Sequence, residues 1–385
     1  MSERPLRVVM LSKACYVAAY RTKLEAMAAI PGVELTLAVP PYWRFGRRRE
    51  ALEAGNDRGY EMVVLPPVLN GNHHLHFYPG FGRLLDRTRP DLIHIDEEPY
   101  DLVTVHALAA AGRRGIPAVF FTWQNLDVRY PPPFEWFRRW TLGRAAGAIA
   151  GNAEAAAILR RRGYRRTVEV VPQFGVDPEQ FPFRPPRDGR PVSLGYAGRL
   201  WRGKGLDVLI EAAAGLRGDW RLDLVGEGDE APTLRDQIDR LRLGERVRFL
   251  GGRPSAAMAA FYQTLDVLVL PSRTLPNWKE QFGRVLIEAM ATGVAVVGSD
   301  SGEIPNVIGD AGWVVPEGDT VALRERLQWL VESFDLRAQA AERGRRRVLE
   351  RFTQQHVAAA TVAFYRGILG RATEGAHSAT EPRPA

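Results

Sequence analysis

Two successive series of short apolar runs, each run followed by a helical pattern, constrain this chain more than any other feature. The first series reads "LRVVML", "ELTLAV", "EMVVLP", "DLIHI", "PAVFFT", "GAIAG" and "VEVVP". These runs are apolar at consecutive positions, as strands buried on both faces are. Helical patterns lie between them, including "AAYRTKLEAMAAI" before Pro31-Gly32 and "YDLVTVHALAAAGRRG" before Pro117. Strand–helix alternation predicts a doubly wound parallel sheet. A second series follows with "VSLGYAG", "LDLVG", "RVRFLG", "VLVLPS", "VAVVGS" and "GWVV". The expected fold class is therefore α/β, with two Rossmann-like domains. Two such sheets face a cleft, and ligands of open α/β folds bind at the carboxyl ends of the strands.

The proline- and charge-rich stretch "FPFRPPRDGRP" separates the series, as a linker does. The domains expected are residues 1–182, a linker over 183–191, and a second domain over 192–350. A final helix over 351–370, "FTQQHVAAATVAFYRGILG" at its heart, is expected to cross back to the first domain. Residues 371–385, rich in small and polar types, read as a frayed tail. No repeat of solenoid period is present.

At 385 residues, two domains are the natural count. The single cysteine, Cys15, excludes an internal disulfide framework and fits a reduced, cytosolic compartment. The start, "MSERPLRVVMLSK", is too short and mixed for a signal peptide, and no run nears the ~18 apolar residues of a membrane span. Residues 1–185 hold 25 Lys+Arg against 19 Asp+Glu, which is +6 of the chain's net +7. Basic clusters at Arg47-Arg48-Arg49 and Arg160-Arg161-Arg162 lie near the aromatic stretches "PYWRF" and "PPPFEWFRRW". Such a surface suits an anionic lipid face or a phosphorylated acceptor, and a solvated helix face is the alternative. No nucleic-acid fold signature accompanies it, so nucleic acid is not an expected partner.

Chemistry concentrates in the second half. In "YAGRLWRGKGLDVLIEAA" a strand ends at Ala197-Gly198, and Arg199 and Lys204 bracket a turn before a helix. Two cations beside a helix start favour a diphosphate, although basic loop residues are more often merely solvated. "LVGEGDEAPTL" places Gly226 and Gly228 after a strand. It lacks the third glycine of a dinucleotide fingerprint, so a nicotinamide cofactor is not expected. The loop Gly251–Pro254, with Arg253, ends another strand at the same sheet edge. In "KEQFGRVLIEAMATG", Gly283 permits a close backbone approach where a helix begins. Glu288 then lies about one and a half turns in, among apolar neighbours. A buried acid has a partner: either Arg284 at i,i+4, or a ribose diol donating two hydrogen bonds to one carboxylate.

Taken in order, "YAGRLWRGKGLDVLIEA", "LVGEGDEAPTL", "RVRFLGGRP", "DVLVLPS" and "EQFGRVLIEAMATGVAVVGSDSGEIPNVIGDAGWVVPEGD" resemble the retaining glycosyltransferases of the GT-B fold, in the large family 4 (group 1). Glu280 and Glu288 fit that family's E-x7-E pattern. The resemblance covers about residues 192–320 strongly and the N-terminal lobe in outline. It implies a nucleotide-diphosphate sugar as donor substrate, no cofactor and no metal. It also implies that Arg199 and Lys204 hold the diphosphate, that Glu288 binds the ribose, and that Glu280 contacts the transferred sugar. The backbone at Phe282 and Gly283 would meet phosphate or sugar, with Gly198, Gly226 and Arg253 also at the donor. A cytoplasmic enzyme with a glycan, lipid-linked or small-molecule acceptor is expected, and the basic aromatic surface of the N-terminal domain would allow peripheral contact at the inner membrane face if the acceptor is lipid-linked.

The N-terminal lobe departs from the family. Its first strand–helix loop, "SKACYVAAYRTK", carries Ala18-Ala19 where many members have Gly-Gly, with Lys13, Tyr16 and Arg21 as candidate substitutes. "FFTWQNLD" places Gln124 and Asn125 where many members have a His-Asp pair. A neutral amide there can hydrogen-bond a sugar hydroxyl or a main-chain carbonyl. Lys13, Tyr16, Gln124 and Asn125 are thus the expected N-domain cleft residues. His73, His74 and His76 in "NGNHHLHFYPG" have no carboxylate or cysteine at a recognised metal spacing, and read as a loop near the acceptor. Glu97 and Glu98 read as charged loop residues or a helix N-cap region, or as an acid/base pair. Two alternatives stand beside the transferase: a nucleotide-sugar epimerase using Glu97-Glu98, and a non-catalytic nucleotide-sugar-binding subunit.

Overall fold

In a computed structural model, which describes residues 4–188 and 191–378, the first apolar series becomes one seven-stranded sheet. Its strands are β1 (Leu6–Leu11), β2 (Val33–Val39), β5 (Glu61–Val64), β6 (Leu92–Ile95), β7 (Ala118–Thr122), β8 (Gly147–Ala150) and β9 (Thr167–Val170). They lie in the order β5-β2-β1-β6-β7-β8-β9, and every neighbouring pair is parallel. The second series forms a six-stranded sheet from β10 (Val192–Ala197), β11 (Trp220–Val225), β12 (Val247–Phe249), β13 (Val267–Leu270), β14 (Ala295–Ser299) and β15 (Trp313–Val315). Its order is β12-β11-β10-β13-β14-β15, again wholly parallel. The strand order reverses once in each sheet, between β1 and β6 and between β10 and β13. Those reversals are the topological switch points where ligands of such sheets bind.

The chain divides into two compact units. Unit 1 is Met1–Phe174 with Gln354–Ala385, and unit 2 is Gly175–Thr353. Residues 175–182, placed with the first domain on sequence, pack within unit 2. The Val176 N–H donates to the Phe352 carbonyl, and the Phe181 ring stands 6.1 Å from that of Tyr262.

Both faces of the first sheet are covered. One carries Phe81, Leu85, Val103, Ala107 and Leu108 over Val9, Ile93 and Phe120. The other carries Leu24 and Met27 with Val357, Val362, Phe364, Tyr365 and Ile368 over Val8, Met10 and Val119. The last of these residues belong to the C-terminal helix, Gln354–Ser378, which is thereby part of unit 1. Tyr365 and His94 share a buried 2.5 Å hydrogen bond, and burial holds the His94 ring neutral by lowering its pKa to about 3. The helix runs past Gly370, so the tail expected over 371–385 is helical as far as Ser378; 379–385 lie outside the described residues.

A further element went unread in the sequence. The basic aromatic stretch at Tyr42–Ala51 is an antiparallel hairpin, β3 (Tyr42–Phe45) and β4 (Arg48–Ala51). Its tip Gly46 has φ +58°, which suits a tight hairpin turn. Trp43 is buried within unit 1, while Arg49 stacks 3.8 Å from the Tyr42 ring centroid. Cys15 is buried too, and burial pushes its thiol up to about 12.

Candidate active site

The switch point of unit 2 is built from glycine turns. Gly198 follows β10 with φ +149°, and Gly226 follows β11 with φ +143°. A Cβ on Gly226 would sit 1.8 Å from the Gly198 carbonyl oxygen, so the two turns pass backbone against backbone. Their amides are tied down: Gly198 N–H donates to Val225 (3.0 Å) and Gly226 N–H to Gly251 (2.9 Å). A cavity of about 290 Å³ opens at this edge, lined among others by Gly198, Arg199, Gly226, Arg253, Tyr262, Arg284 and Glu288. Five residues expected at the donor thus come together there from three loops and one helix. Arg199 is two-thirds exposed, with Asp229 3.5 Å away.

Glu288 is buried on a helix, Arg284–Thr292, whose other buried residues include Leu286, Ile287, Ala289 and Met290. Arg284 Nε donates to its Oε1 at 2.7 Å, the helix pair open from sequence. The Tyr262 hydroxyl, from a neighbouring helix, donates to Oε2 at 2.8 Å. Each oxygen of an ionised carboxylate accepts more than one hydrogen bond. The Arg284 pair therefore orients Glu288 at the cavity wall and leaves it able to accept from a ligand. Burial beside that carboxylate drives the Tyr262 phenol well above its ordinary range, so Tyr262 stays a donor.

Lys204, Glu280, Phe282 and Gly283 do not line this cavity. Lys204 closes a 3-10 turn before the helix Leu206–Ala214, and its Nζ lies 2.5 Å from Glu280 Oε2. That oxygen also accepts from Ser272 Oγ at 2.8 Å. The lysine ammonium sits 4.9 Å from the Trp278 ring centroid, and Trp278 meets Trp201 edge-on at 4.9 Å. The two groups assigned separate roles from sequence thus form one ion pair spanning the β10 and β13 loops. Gly283 caps the Glu288 helix with φ +83°, and Phe282 is buried beside Phe352, 6.0 Å between centroids.

The switch point of unit 1 holds charge instead of glycine. Lys13, after β1, meets Glu97, after β6, through both its backbone N–H (2.8 Å) and its ammonium. Asp101 Oδ2 is 3.8 Å from the same ammonium, and Asp101 Oδ1 bonds His74 Nδ1 at 2.8 Å. Glu98 accepts from Thr122 Oγ1 (2.5 Å) and the Trp123 N–H (2.8 Å). Burial pushes both glutamates up to about 7, against the pull of Lys13 at Glu97 and of these hydrogen bonds at Glu98. The same acids raise the Lys13 pKa although burial opposes it. Glu97 and Asp101 were not readable as buried. Their signal is the short run "DEEPYD" placed directly after a strand.

The other N-domain residues are occupied locally. The Tyr16 hydroxyl donates to Glu50 at 2.7 Å. Gln124 Nε2 donates to the Leu126 carbonyl at 3.1 Å, which is the main-chain role open to it from sequence, and Asn125 is buried beside it. Arg21 is buried, binding Asp57 and the Cys15 and Glu53 carbonyls, so it holds the loop together. Where glycines were expected, the Ala18 N–H donates to Glu53. Among the described residues no group of three or more His, Cys, Asp and Glu could hold a metal ion.

Two parallel doubly wound sheets, each with its polar groups gathered at the switch point, define a protein of the GT-B class. Residues 177–347 match the family model for glycosyl transferases group 1, and residues 17–173 match the glycosyl transferase 4-like domain. The 2-deoxystreptamine glucosyltransferase of Streptomyces kanamyceticus is 26% identical over 71% of this chain and 79% of its own. The N-acetyl-alpha-D-glucosaminyl L-malate synthase of Bacillus anthracis is 34% identical over 39% of this chain and 38% of its own. Matches to several curated relatives span about half of their length or less. Among solved structures, Anabaena Alr3699/HepE in complex with UDP and glucose superposes with a TM-score of 0.70 at 18% identity, over 94% of this chain and 100% of that one. Residues 177–347 thus carry a group 1 glycosyltransferase domain, preceded by a glycosyl transferase 4-like domain over residues 17–173.

Proposed function

We propose that this protein is a retaining, metal-independent glycosyltransferase that moves a hexosyl unit from a nucleotide-diphosphate sugar to a glycan, lipid-linked or small-molecule acceptor. The observation that carries the reading is the unit 2 cavity, where Gly198, Arg199, Gly226, Arg253 and Glu288 converge from distant segments. Bare backbone at Gly198 and Gly226 lets a nucleotide approach without meeting side chains. Glu288, oriented by Arg284 and Tyr262, accepts from the ribose hydroxyls. The Arg199 guanidinium and the Lys204 ammonium offset charge on the departing diphosphate, the task a divalent ion has elsewhere. Glu280, held against Lys204, contacts the transferred sugar, so sugar and diphosphate are sensed by one ion pair. Retention then needs the acceptor positioned on the face of the leaving phosphate, which takes up its proton.

A UDP-sugar is the first donor to try, since the HepE structures hold UDP. Ligand-observed NMR with UDP-, GDP- and ADP-sugars tests the reading, followed by the anomeric configuration of the product and by activity in the presence of EDTA. Donor binding weakened about tenfold or more in Glu288→Ala is expected. Equal binding by wild type and variant would overturn the assignment.

No helix among the described residues is long and apolar enough to cross a membrane. Peripheral contact at the inner face is supported by a surface of unit 1 on which Trp136 is 64% exposed, with Arg139 and Arg144 on the same helix, Phe134–Arg144. The Arg160–Arg162 cluster contributes less than its sequence promised, because Arg161 and Arg162 both reach Asp127. Salt-sensitive flotation with anionic liposomes checks this contact, and its absence in Trp136→Ser locates it.

A further inference from the structure

The loop histidines contain an arrangement that the family reading does not use. Asp101 is almost wholly buried, and its Oδ1 lies 2.8 Å from Nδ1 of His74, whose side chain is about half exposed. An ionised carboxylate only accepts, so Nδ1–H is the donor, and in the neutral ring Nε2 carries the lone pair. The loop holding His74 is pinned as well, since the Leu102 N–H donates to the His74 carbonyl at 2.9 Å. One side chain and one backbone bond thus lock the ring to the start of the helix Leu102–Gly112. The second oxygen of Asp101 faces the Lys13 ammonium, which places the dyad on the carboxyl side of β1 and β6, at the switch point of unit 1.

Aromatic rings flank the imidazole. Tyr100 is 5.7 Å and Phe134 5.3 Å from the His74 ring, and Tyr130 stacks on Tyr100 at 4.2 Å. All three are partly exposed. Aromatic faces beside one fixed hydrogen-bond acceptor suit a molecule with apolar C–H faces and hydroxyl edges. A bare structural histidine would need neither the buried orienting carboxylate nor the open aromatic wall.

We propose that His74, oriented by Asp101 and walled by Tyr100 and Phe134, binds a carbohydrate or cyclitol ring of the acceptor, with a ring hydroxyl donating to His74 Nε2. This rests on the transferase reading and names the acceptor's chemistry. The titratable groups around the imidazole are Asp101, Glu98 and Tyr100 from the β6 loop, Lys13 from the β1 loop and His73 from its own loop. The Asp101 hydrogen bond raises the His74 pKa. Protonation puts a hydrogen on Nε2 and removes the acceptor, so ring binding weakens as pH falls through the imidazole titration.

The test uses the full chain without nucleotide, and methyl α-D-glucopyranoside, methyl α-D-mannopyranoside and myo-inositol as probes in saturation-transfer NMR. At least one ring is expected to bind, to shift the His74 ring resonances, and to lose tenfold or more in affinity in His74→Ala and in Tyr100→Leu. In Asp101→Asn, the His74 imidazole should titrate at lower pH than in the wild type. No binding by any probe, or equal binding by wild type and His74→Ala, overturns the proposal. Nucleotide-sugar binding is measured on the same samples. Its retention in His74→Ala with ring binding lost separates this site from the donor site, and its absence in the wild type would sink the transferase reading alone.

Discussion

The two units share a topology and differ in what they place at its switch point. Unit 2 puts glycines there, leaving a cavity walled by backbone and a few oriented side chains. Unit 1 fills the equivalent place with Lys13, Glu97, Asp101 and the half-exposed His74, linked by ion pairs and hydrogen bonds, with buried Glu98 beside them. The shape of a backbone cradle does not depend on pH, because amides do not titrate. A packed cluster of ionisable groups is selective and pH-dependent, because each member is held by a balance of desolvation and charge. On the proposed reading, one fold supplies a generic donor site and an individual acceptor side.

The largest effect should come from breaking the cradle. Gly226→Ala places a Cβ 1.8 Å from the Gly198 carbonyl at φ +143°, a combined strain and overlap of roughly 3 kcal/mol or more. Calorimetry should show a lowered Tm together with lost nucleotide binding; an unchanged Tm would mean that the two turns can part freely. Next come Lys204→Ala and Glu280→Ala, each expected to cost ~1.5–3 kcal/mol in transfer, one to two decades in rate. Since the two groups form one pair, the double variant should lose less than the sum. Strict additivity in kcat/KM would show that they act separately.

The charged side of the comparison is tested by pH. Carboxyls raised from 4.5 to about 7 bind a proton more readily in the native state than in the unfolded one. The stability that these two groups contribute is therefore fully present below pH 4.5 and is lost as pH rises through about 7. Glu98→Gln, which keeps the shape and an acceptor oxygen, should flatten that slope by an amount on the order of 3 kcal/mol across the window. Denaturant midpoints at pH 4.5, 6 and 7.5 measure it, and an identical slope in the variant would remove Glu98 from the account. The smallest effect belongs to Arg199→Ala. This exposed cation should weaken nucleotide affinity by about 0.5–1 kcal/mol, less at high salt.

How much was legible follows the same division. Buried parallel strands announce themselves as unbroken apolar runs, so "LRVVML", "VLVLPS" and the rest were readable one by one. The β3–β4 hairpin was not, because Tyr42–Ala51 is short and half charged, and only Trp43 is driven inside. Gly283 and Glu288 declared themselves through local contrast, a glycine at a helix start and an acid among apolar neighbours. Tyr262, which holds Glu288 from 26 residues away, left no such trace.

By itself the sequence determined the two sheets, their parallel sense and the loops that carry Arg199, Lys204, Glu280 and Glu288. Hydrophobic periodicity and glycine placement are local properties, and local properties survive in a linear string. The tertiary structure alone decided that Lys204 and Glu280 are one ion pair, that Glu97 is buried on Lys13 from 84 residues away, and that Asp101 orients His74. Burial and charge pairing arise only when distant segments exclude water together.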